Sequence, residues 1–360
     1  MDLSSLHSKE VVQRAAGLLR KIAPDEKLRF LHVCGTHENT ITRYGIRSML
    51  PESIEVVAGP GCPVCVTSTS AIDQAIEIAE KYATVYTYGD MFTVPGSNGS
   101  LKDARAGGAG VKVVYSVSDA VGLAEESGAP STFFSIGFET TAPTTASAVL
   151  SGVPDNLSFI TSHRLIPPAL MALLKSGRIE LDGLICPGHV STIIGTEPYR
   201  FLVEDFGIPV AVSGFEPLDV IISLIDLVKQ QQEGSPRVYN EYTRSVRPEG
   251  NRVALEMMEE VFEVCDEEWR GIGSLPASGL RLGEGYSHLD AVERFDLEEK
   301  PSLDMPAGCR CSEVLLGSVQ PTDCPLFSSG CSPDNPVGPC MVSSEGTCKI
   351  WFQYGGRRDY

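Results

Sequence analysis

The sequence predicts an α/β protein: two parallel-sheet α/β domains flanked by helices, then a helical or irregular C-terminal domain rich in cysteine. Three observations carry this. Eight short apolar runs alternate with helix-like stretches between residues 28 and 234. Glycine-bearing polar turns follow several of those runs. After Gly234 the periodicity fades, and six of the eleven cysteines fall between Cys309 and Cys348.

The predicted strands are Leu28–Val33, Ile54–Ala58, Thr84–Tyr88, Val111–Val117, Thr132–Ile136, Leu157–Thr161, Gly183–Cys186 and Pro209–Val212. They are short, continuous and rich in Val, Ile, Phe and Tyr, as strands buried on both faces are. Between them the pattern predicts helices over Ser70–Lys81, Asp119–Ser127, Pro167–Ser176, Glu197–Phe206 and Glu216–Gln232. Ser118-Asp119 reads as a helix start, and Pro167-Pro168 fits a first turn. Such alternation argues for parallel sheets with helices on both faces. Eight strands suit two domains better than one. The division falls near residue 125, giving 1–125, 126–235 and a cysteine-rich 236–360. Asn251–Arg270 reads as one long acidic amphipathic helix, with Cys265 as a core residue on it.

Composition excludes some functions. The chain has 360 residues and a formal net charge of −18. Nucleic acid and anionic membrane surfaces are poor partners for such a chain, because both favour a basic face. Met1–Gly17 lacks a basic start followed by an apolar run, so it does not read as a secretory signal. The apolar stretch Val220–Val228 contains Asp226 and is too short to span a bilayer. The expected location is the cytoplasm. There thiols stay reduced, so eleven cysteines point to metal ligands, redox centres or buried small apolar residues rather than structural disulfides.

Chemistry is expected at the strand ends, where open α/β sheets build their sites. Cys34-Gly35-Thr36-His37-Glu38 follows the first strand and opens a helix. A helix N-terminus lowers a thiol pKa, so Cys34 is expected as a thiolate able to bind metal or attack. His37 is a candidate second ligand or proton carrier. The bland alternative is a buried cysteine with capping neighbours. Gly59-Pro60-Gly61-Cys62-Pro63-Val64-Cys65 follows the next strand. A Cys-x-x-Cys at such a turn is a thiol–disulfide redox arrangement, or half of a four-cysteine metal site. Glu139, in Gly137-Phe138-Glu139-Thr140-Thr141-Ala142-Pro143, either caps a helix or faces a cleft as a base. Cys186-Pro187-Gly188-His189, Thr161-Ser162-His163-Arg164 and Ser213-Gly214-Phe215-Glu216 are weaker signals that strand ends share a cleft.

Cys309, Cys324, Cys331 and Cys348 are separated by 14, 6 and 16 residues, with Cys311 and Cys340 nearby. This segment has too little apolar surface to hold itself, so a metal or cluster is the expected staple. Four thiolates suit a [4Fe–4S] cluster or a four-cysteine zinc site. Zinc sites draw on close cysteine pairs, so the wide spacing favours the cluster.

The quoted motifs, with Met341-Val342-Ser343-Ser344-Glu345-Gly346, resemble the HypD family of hydrogenase maturation factors from about residue 30 to 350. The resemblance implies a role in making the Fe(CN)2CO group of [NiFe] hydrogenases. It implies a HypC-type chaperone and a HypE-type cyanide donor as partners, and a transient Fe(II) carrying cyanide and carbonyl. It further implies a [4Fe–4S] cluster on Cys309, Cys324, Cys331 and Cys348. The chemistry of the residues fits that role: a thiolate at Cys34 would hold the soft Fe(II), together with a cysteine from the HypC-type chaperone. Cys62 and Cys65 would act as a two-electron store, with His37 and Glu139 as proton-handling residues. Two rival readings stand: a stand-alone thiol–disulfide oxidoreductase, and a structural scaffold with a zinc-stapled tail. The sequence carries no Cys-x3-Cys-x2-Cys run and no Gly-x4-Gly-Lys-Ser/Thr loop, which argues against radical and ATP chemistry.

Overall fold

In a computed structural model, which describes residues 8–298 and 305–355, the chain forms two sheets. The first has five strands, all parallel, in the order β2-β1-β7-β8-β9: β1 Leu28–His32, β2 Ile54–Ala58, β7 Gly183–Pro187, β8 Val210–Ser213 and β9 Val238–Asn240. The second has six strands in the order β10-β11-β6-β5-β3-β4: β3 Thr84–Tyr88, β4 Val111–Val114, β5 Ser131–Gly137, β6 Leu157–Arg164, β10 Phe262–Trp269 and β11 Gly273–Leu282. Its β3–β6 part is parallel, and the β10–β11 hairpin is antiparallel. The α/β architecture with helix-flanked, mostly parallel sheets is thus as predicted.

The division at residue 125 does not follow the sheets. The first sheet joins β1 and β2 to β7, β8 and β9, and the second joins β3 and β4 to β5 and β6. Each sheet therefore takes strands from both sides of the cut. The register makes this binding: Phe30 lies beside Gly183 in one sheet and Val85 beside Thr132 in the other. Local periodicity predicts strands well but is silent about which strands pair.

Several element bounds differ from expectation. Ser116, not Ser118, starts the helix Val117–Ser127, through a capping box with Asp119. That trims the preceding strand to Val114. The stretch from Glu197 is a 3-10 turn, Glu197–Tyr199, followed by a short helix, Arg200–Glu204. Asn251 caps a helix as expected, but it ends at Val261, and Phe262–Trp269 is strand β10. Cys265 therefore lies half-buried on an edge strand rather than in a helical core. Phe262 and Val264, an aromatic and a β-branched residue, favour a pleated surface over a helix. Among the described residues no helix is long and apolar enough to cross a membrane.

Candidate functional site

The site grows from the end of β1. Cys34 is the N-cap of the helix Gly35–Arg43, in extended conformation, and is buried. The turn after β2 lies directly on it: Gly35 N–H donates to Gly61 O at 3.1 Å. A Cβ on Gly61 would sit 2.1 Å from Cys34 N and 2.4 Å from its Cα. Only glycine allows that approach, and it brings the two cysteine motifs into backbone contact. Beyond Gly61, Cys62 caps the helix Pro63–Val66 by accepting from Cys65 N–H at 3.2 Å. Cys62 and Cys65 form a disulfide, with Cα atoms 5.3 Å apart. Both residues are buried.

The third wall comes from the other end of the chain. A Cβ on Gly35 would meet the Glu345 Cβ at 2.4 Å, and Thr36 Oγ1 donates to Glu345 Oε1 at 3.4 Å. Asp90, after β3, accepts from Ser343 Oγ at 3.1 Å and from Ser344 N and Oγ, each at 2.8 Å. The loop 343–346 thus joins the carboxyl ends of both sheets. Sequence reasoning assigned no role to Glu345 or Asp90. The only available signal was the Ser-Ser-Glu-Gly string, because a contact across 309 residues leaves no local pattern.

Glu345 also changes the chemistry of Cys34. Burial, and then the Glu345 carboxylate, push the Cys34 thiol up to about 12. The N–H groups of His37 and Thr36 pull the other way and lose. The expected thiolate is therefore a neutral thiol, because desolvation and a like charge outweigh the helix terminus.

His37 is buried, and its Nε2 is 2.9 Å from Gly214 O and 3.3 Å from Ser213 O. Those carbonyls can only accept, so Nε2 carries the proton. The ring stacks on Phe215, and burial lowers its pKa to about 3, with His32 adding repulsion. His37 thus faces β8 as a neutral ring.

Its neighbour Glu38 is the centre of a buried polar network. It accepts from both Arg47 terminal nitrogens at 2.8 Å and from Trp351 Nε1 at 2.7 Å. It also lies 2.7 Å from His32 Nε2. Burial alone would raise its pKa, but Arg47 and the His32 contact hold it well below the usual carboxylate range. Glu38 ties the tail to the Cys34 helix.

Glu139 is buried after β5. Its Oε1 accepts from Ile166 N–H at 2.9 Å, and its Oε2 has no partner among the described residues. It caps the helix Ile166–Lys175 rather than its own helix. Burial raises it to about 7, against the two N–H donors it faces. Tyr199 is fully buried, which raises its phenol, and it lies within electrostatic reach of Cys186, Glu139 and Cys34. These four therefore share one interior region. Burial also pushes the Cys186 thiol far up. His189 is exposed and stacks on Phe215 at 3.8 Å.

The tail gathers its six thiols. Cys309, Cys311, Cys324, Cys331 and Cys348 line one small pocket with Leu326, Phe327 and Met341. Cys340 joins through hydrogen bonding with Cys311 and Cys348. Those contacts raise Cys311 and Cys348 and lower Cys340, while the Cys311 contact brings Cys309 down to about 7. Backbone N–H groups point at sulfur: Val337 N to Cys331 at 3.3 Å and Cys348 N to Cys340 at 3.2 Å. A Cβ on Gly338 would lie 2.8 Å from Cys309 Sγ, so only glycine fits against that sulfur. Soft donors, an apolar wall and N–H···S bonds are the surroundings an iron–sulfur group takes. All four expected ligands line the pocket. Cys311 lines it as well. No group of three His, Cys, Asp or Glu side chains among the described residues is set to hold a single metal ion.

Fold and site define an α/β protein with buried cysteines at converging strand ends, backed by a cysteine-rich tail. Comparison with known proteins agrees. The HypD family model, described as "Hydrogenase formation hypA family", matches residues 9–355. A hydrogenase expression/formation protein of Methanocaldococcus jannaschii is 45% identical over 97% of this chain and 99% of its own. The hydrogenase maturation factor HypD2 of Bradyrhizobium diazoefficiens is 45% identical over 98% of this chain and 96% of its own. HypD of Cupriavidus necator is 43% identical over 97% and 96%. The chain belongs to the HypD family of hydrogenase maturation factors.

Proposed function

We propose that this protein is the redox-active scaffold on which the Fe(CN)2CO group of a [NiFe] hydrogenase is assembled in the cytoplasm. It acts with a HypC-type chaperone and takes cyanide from a HypE-type donor. One observation carries the reading: Cys34, the Cys62–Cys65 disulfide and the Glu345 loop meet at a single point between the ends of two sheets.

Cys34 holds the incoming Fe(II), a soft enough ion for thiolate, together with a cysteine from the chaperone. Because Cys34 starts as a thiol, binding iron displaces its proton. Freeing cyanide from a thiocyanate takes two electrons. The reduced Cys62/Cys65 pair supplies them as it closes its disulfide and releases two protons. One proton goes to the donor's thiol. Glu139, held near neutrality in the same interior, is suited to take the other. His37 orients the Cys34 helix by its hydrogen bond to Gly214 O. A [4Fe–4S] cluster on Cys309, Cys324, Cys331 and Cys348 would supply single electrons. The helix Pro339–Val342, which carries Cys340, packs on the helix Pro63–Val66, which carries Cys65, so the tail and the disulfide adjoin.

Burial of both disulfide sulfurs weighs against the stand-alone oxidoreductase, which needs an accessible sulfur for its protein substrate. The test is to purify the chain without oxygen together with its HypC-type partner, and to record an infrared spectrum with iron and sulfide content. Metal-bound cyanide and carbonyl bands that vanish in Cys34→Ala support the scaffold. Zinc without iron supports the structural reading. Full hydrogenase maturation by Cys34→Ala sinks the proposal.

A further inference from the structure

Arg270 follows β10 and is 2% exposed. Its backbone N–H donates to Val66 O at 2.9 Å, the last residue of the helix Pro63–Val66 that carries Cys65. Its Nη1 donates to Pro95 O at 2.8 Å, while its buried Nε has no hydrogen-bond partner among the described residues. A guanidinium does not give up its proton, so this is a permanent buried charge. Burying one without compensation is expensive. Among the described residues Arg270 makes no ion pair. The nearby carboxylate of Asp73 is already engaged by Ser97, through its backbone N–H at 2.8 Å and its hydroxyl.

Thiols of the tail lie within electrostatic reach of Arg270. Its charge interacts with Cys311 and Cys309. The backbone agrees: a Cβ on Gly271 would lie 3.0 Å from the Ser312 Cβ, so the chain at Arg270-Gly271 rests on Cys311-Ser312. The same residue thus joins the helix of the redox disulfide through its backbone N–H, and its charge reaches the thiols of the tail on which Gly271 rests. In a chain of net charge −18, a lone interior cation at this junction needs a negative partner. Thiolates closing around a cluster supply one.

We infer that Arg270 is the built-in counter-ion of the iron–sulfur group held by the tail cysteines, and that it sets the potential at which that group exchanges electrons with the Cys62–Cys65 pair. The inference rests on the cluster reading given above and assigns a positioning role, not a ligand. A fixed positive charge favours the more negative, reduced state and so raises the reduction potential.

The experiment is an anaerobic redox titration of the full-length reconstituted chain, followed by electron paramagnetic resonance. Arg270→Gln, which can still donate to Pro95 O, is compared with Arg270→Lys, which keeps the charge. The expected result is a midpoint shifted to more negative potential in Arg270→Gln and restored toward wild type in Arg270→Lys. If Arg270→Gln fails to hold iron and sulfide while Arg270→Lys holds them, charge compensation is again supported. Failure of both variants to hold the cluster assigns Arg270 to packing and overturns the inference. An intact cluster with an unmoved midpoint in Arg270→Gln overturns the inference alone. A wild-type chain that reconstitutes no cluster overturns the cluster reading and this inference with it.

Discussion

At the scale of single residues, the site is made by close approaches that only glycine permits. Gly61→Ala would drive a methyl group into the backbone of Cys34, which cannot move aside as a side chain would. Overpacking of this kind costs roughly 1–3 kcal/mol or more, so Gly61→Ala should lower the denaturant midpoint and weaken iron binding together. Protonation sets two further outcomes. Cys34 is a thiol at neutral pH, so Fe(II) binding should release one proton, read as a buffer-dependent heat, and Cys34→Ala should lose that release. Glu139 has its folded pKa raised from 4.5 to about 7, so the folded state binds the extra proton and stability falls as pH rises through that window. By linkage the loss reaches on the order of 3 kcal/mol above it. Glu139→Gln should therefore be more stable than wild type at pH 8 and show little gain at pH 5, measured by denaturant unfolding at both. The residues bearing this chemistry were legible in sequence wherever they followed a strand, as Cys34, Cys62, Cys65 and Glu139 do. Their protonation was not, because the Cys34 state depends first on its burial and then on Glu345, brought in by the fold from the far end of the chain.

At the scale of elements, β1 to β8 were readable because each is a short apolar run, while the three-residue edge strand β9 and the β10–β11 hairpin were not. β10 carries Glu263, Asp266, Glu267 and Glu268, and it slips register between Cys265 and Glu267. β11 contains Pro276, and Ala277 has φ 51°, a conformation that breaks strand regularity. An acidic edge strand looks like a solvated helix face until its partner is known. The tail shows the converse case. Its loop 343–346 has little secondary structure, yet it is held by three hydrogen bonds to Asp90 Oδ2 and by Trp351 Nε1 on Glu38. Hydrogen bonds to a carboxylate are each worth about 1.5–3 kcal/mol. Asp90→Ala should accordingly raise amide exchange in residues 343–346 and leave β1 and β2 protected. Equal protection of the loop in that variant would mean that Glu345 and Trp351 alone hold the tail.

At the scale of the whole molecule, the order of strands in space decides what can fold by itself. The chain lays down β1 and β2 of one sheet, then β3 to β6 of the other, and returns for β7 to β9 before closing the second sheet with β10 and β11. A fragment of residues 1–125 therefore holds β1 and β2 without β7, and β3 and β4 without β5. Phe30 would lose its neighbour Gly183, and Val85 would lose Thr132. The edges of β1 and β3 that β7 and β5 cover in the full chain would also be left unpaired, a template for aggregation. Expressed alone, 1–125 should be unfolded or insoluble, without the cooperative unfolding of the full chain, and so should 126–235. A soluble, cooperatively unfolding 1–125 would mean that its four strands form a different sheet from the one they occupy in the full chain. The interleaving also bears on function. Cys34 and Cys62 lie at strand ends of the first sheet, Asp90 and Glu139 at strand ends of the second, and the crossings of the chain hold the two sets together. On the proposed reading, a scaffold that brings iron, an electron pair and a proton to one point gains from two sheets interleaved along the chain, and the tail that carries six further cysteines binds to both.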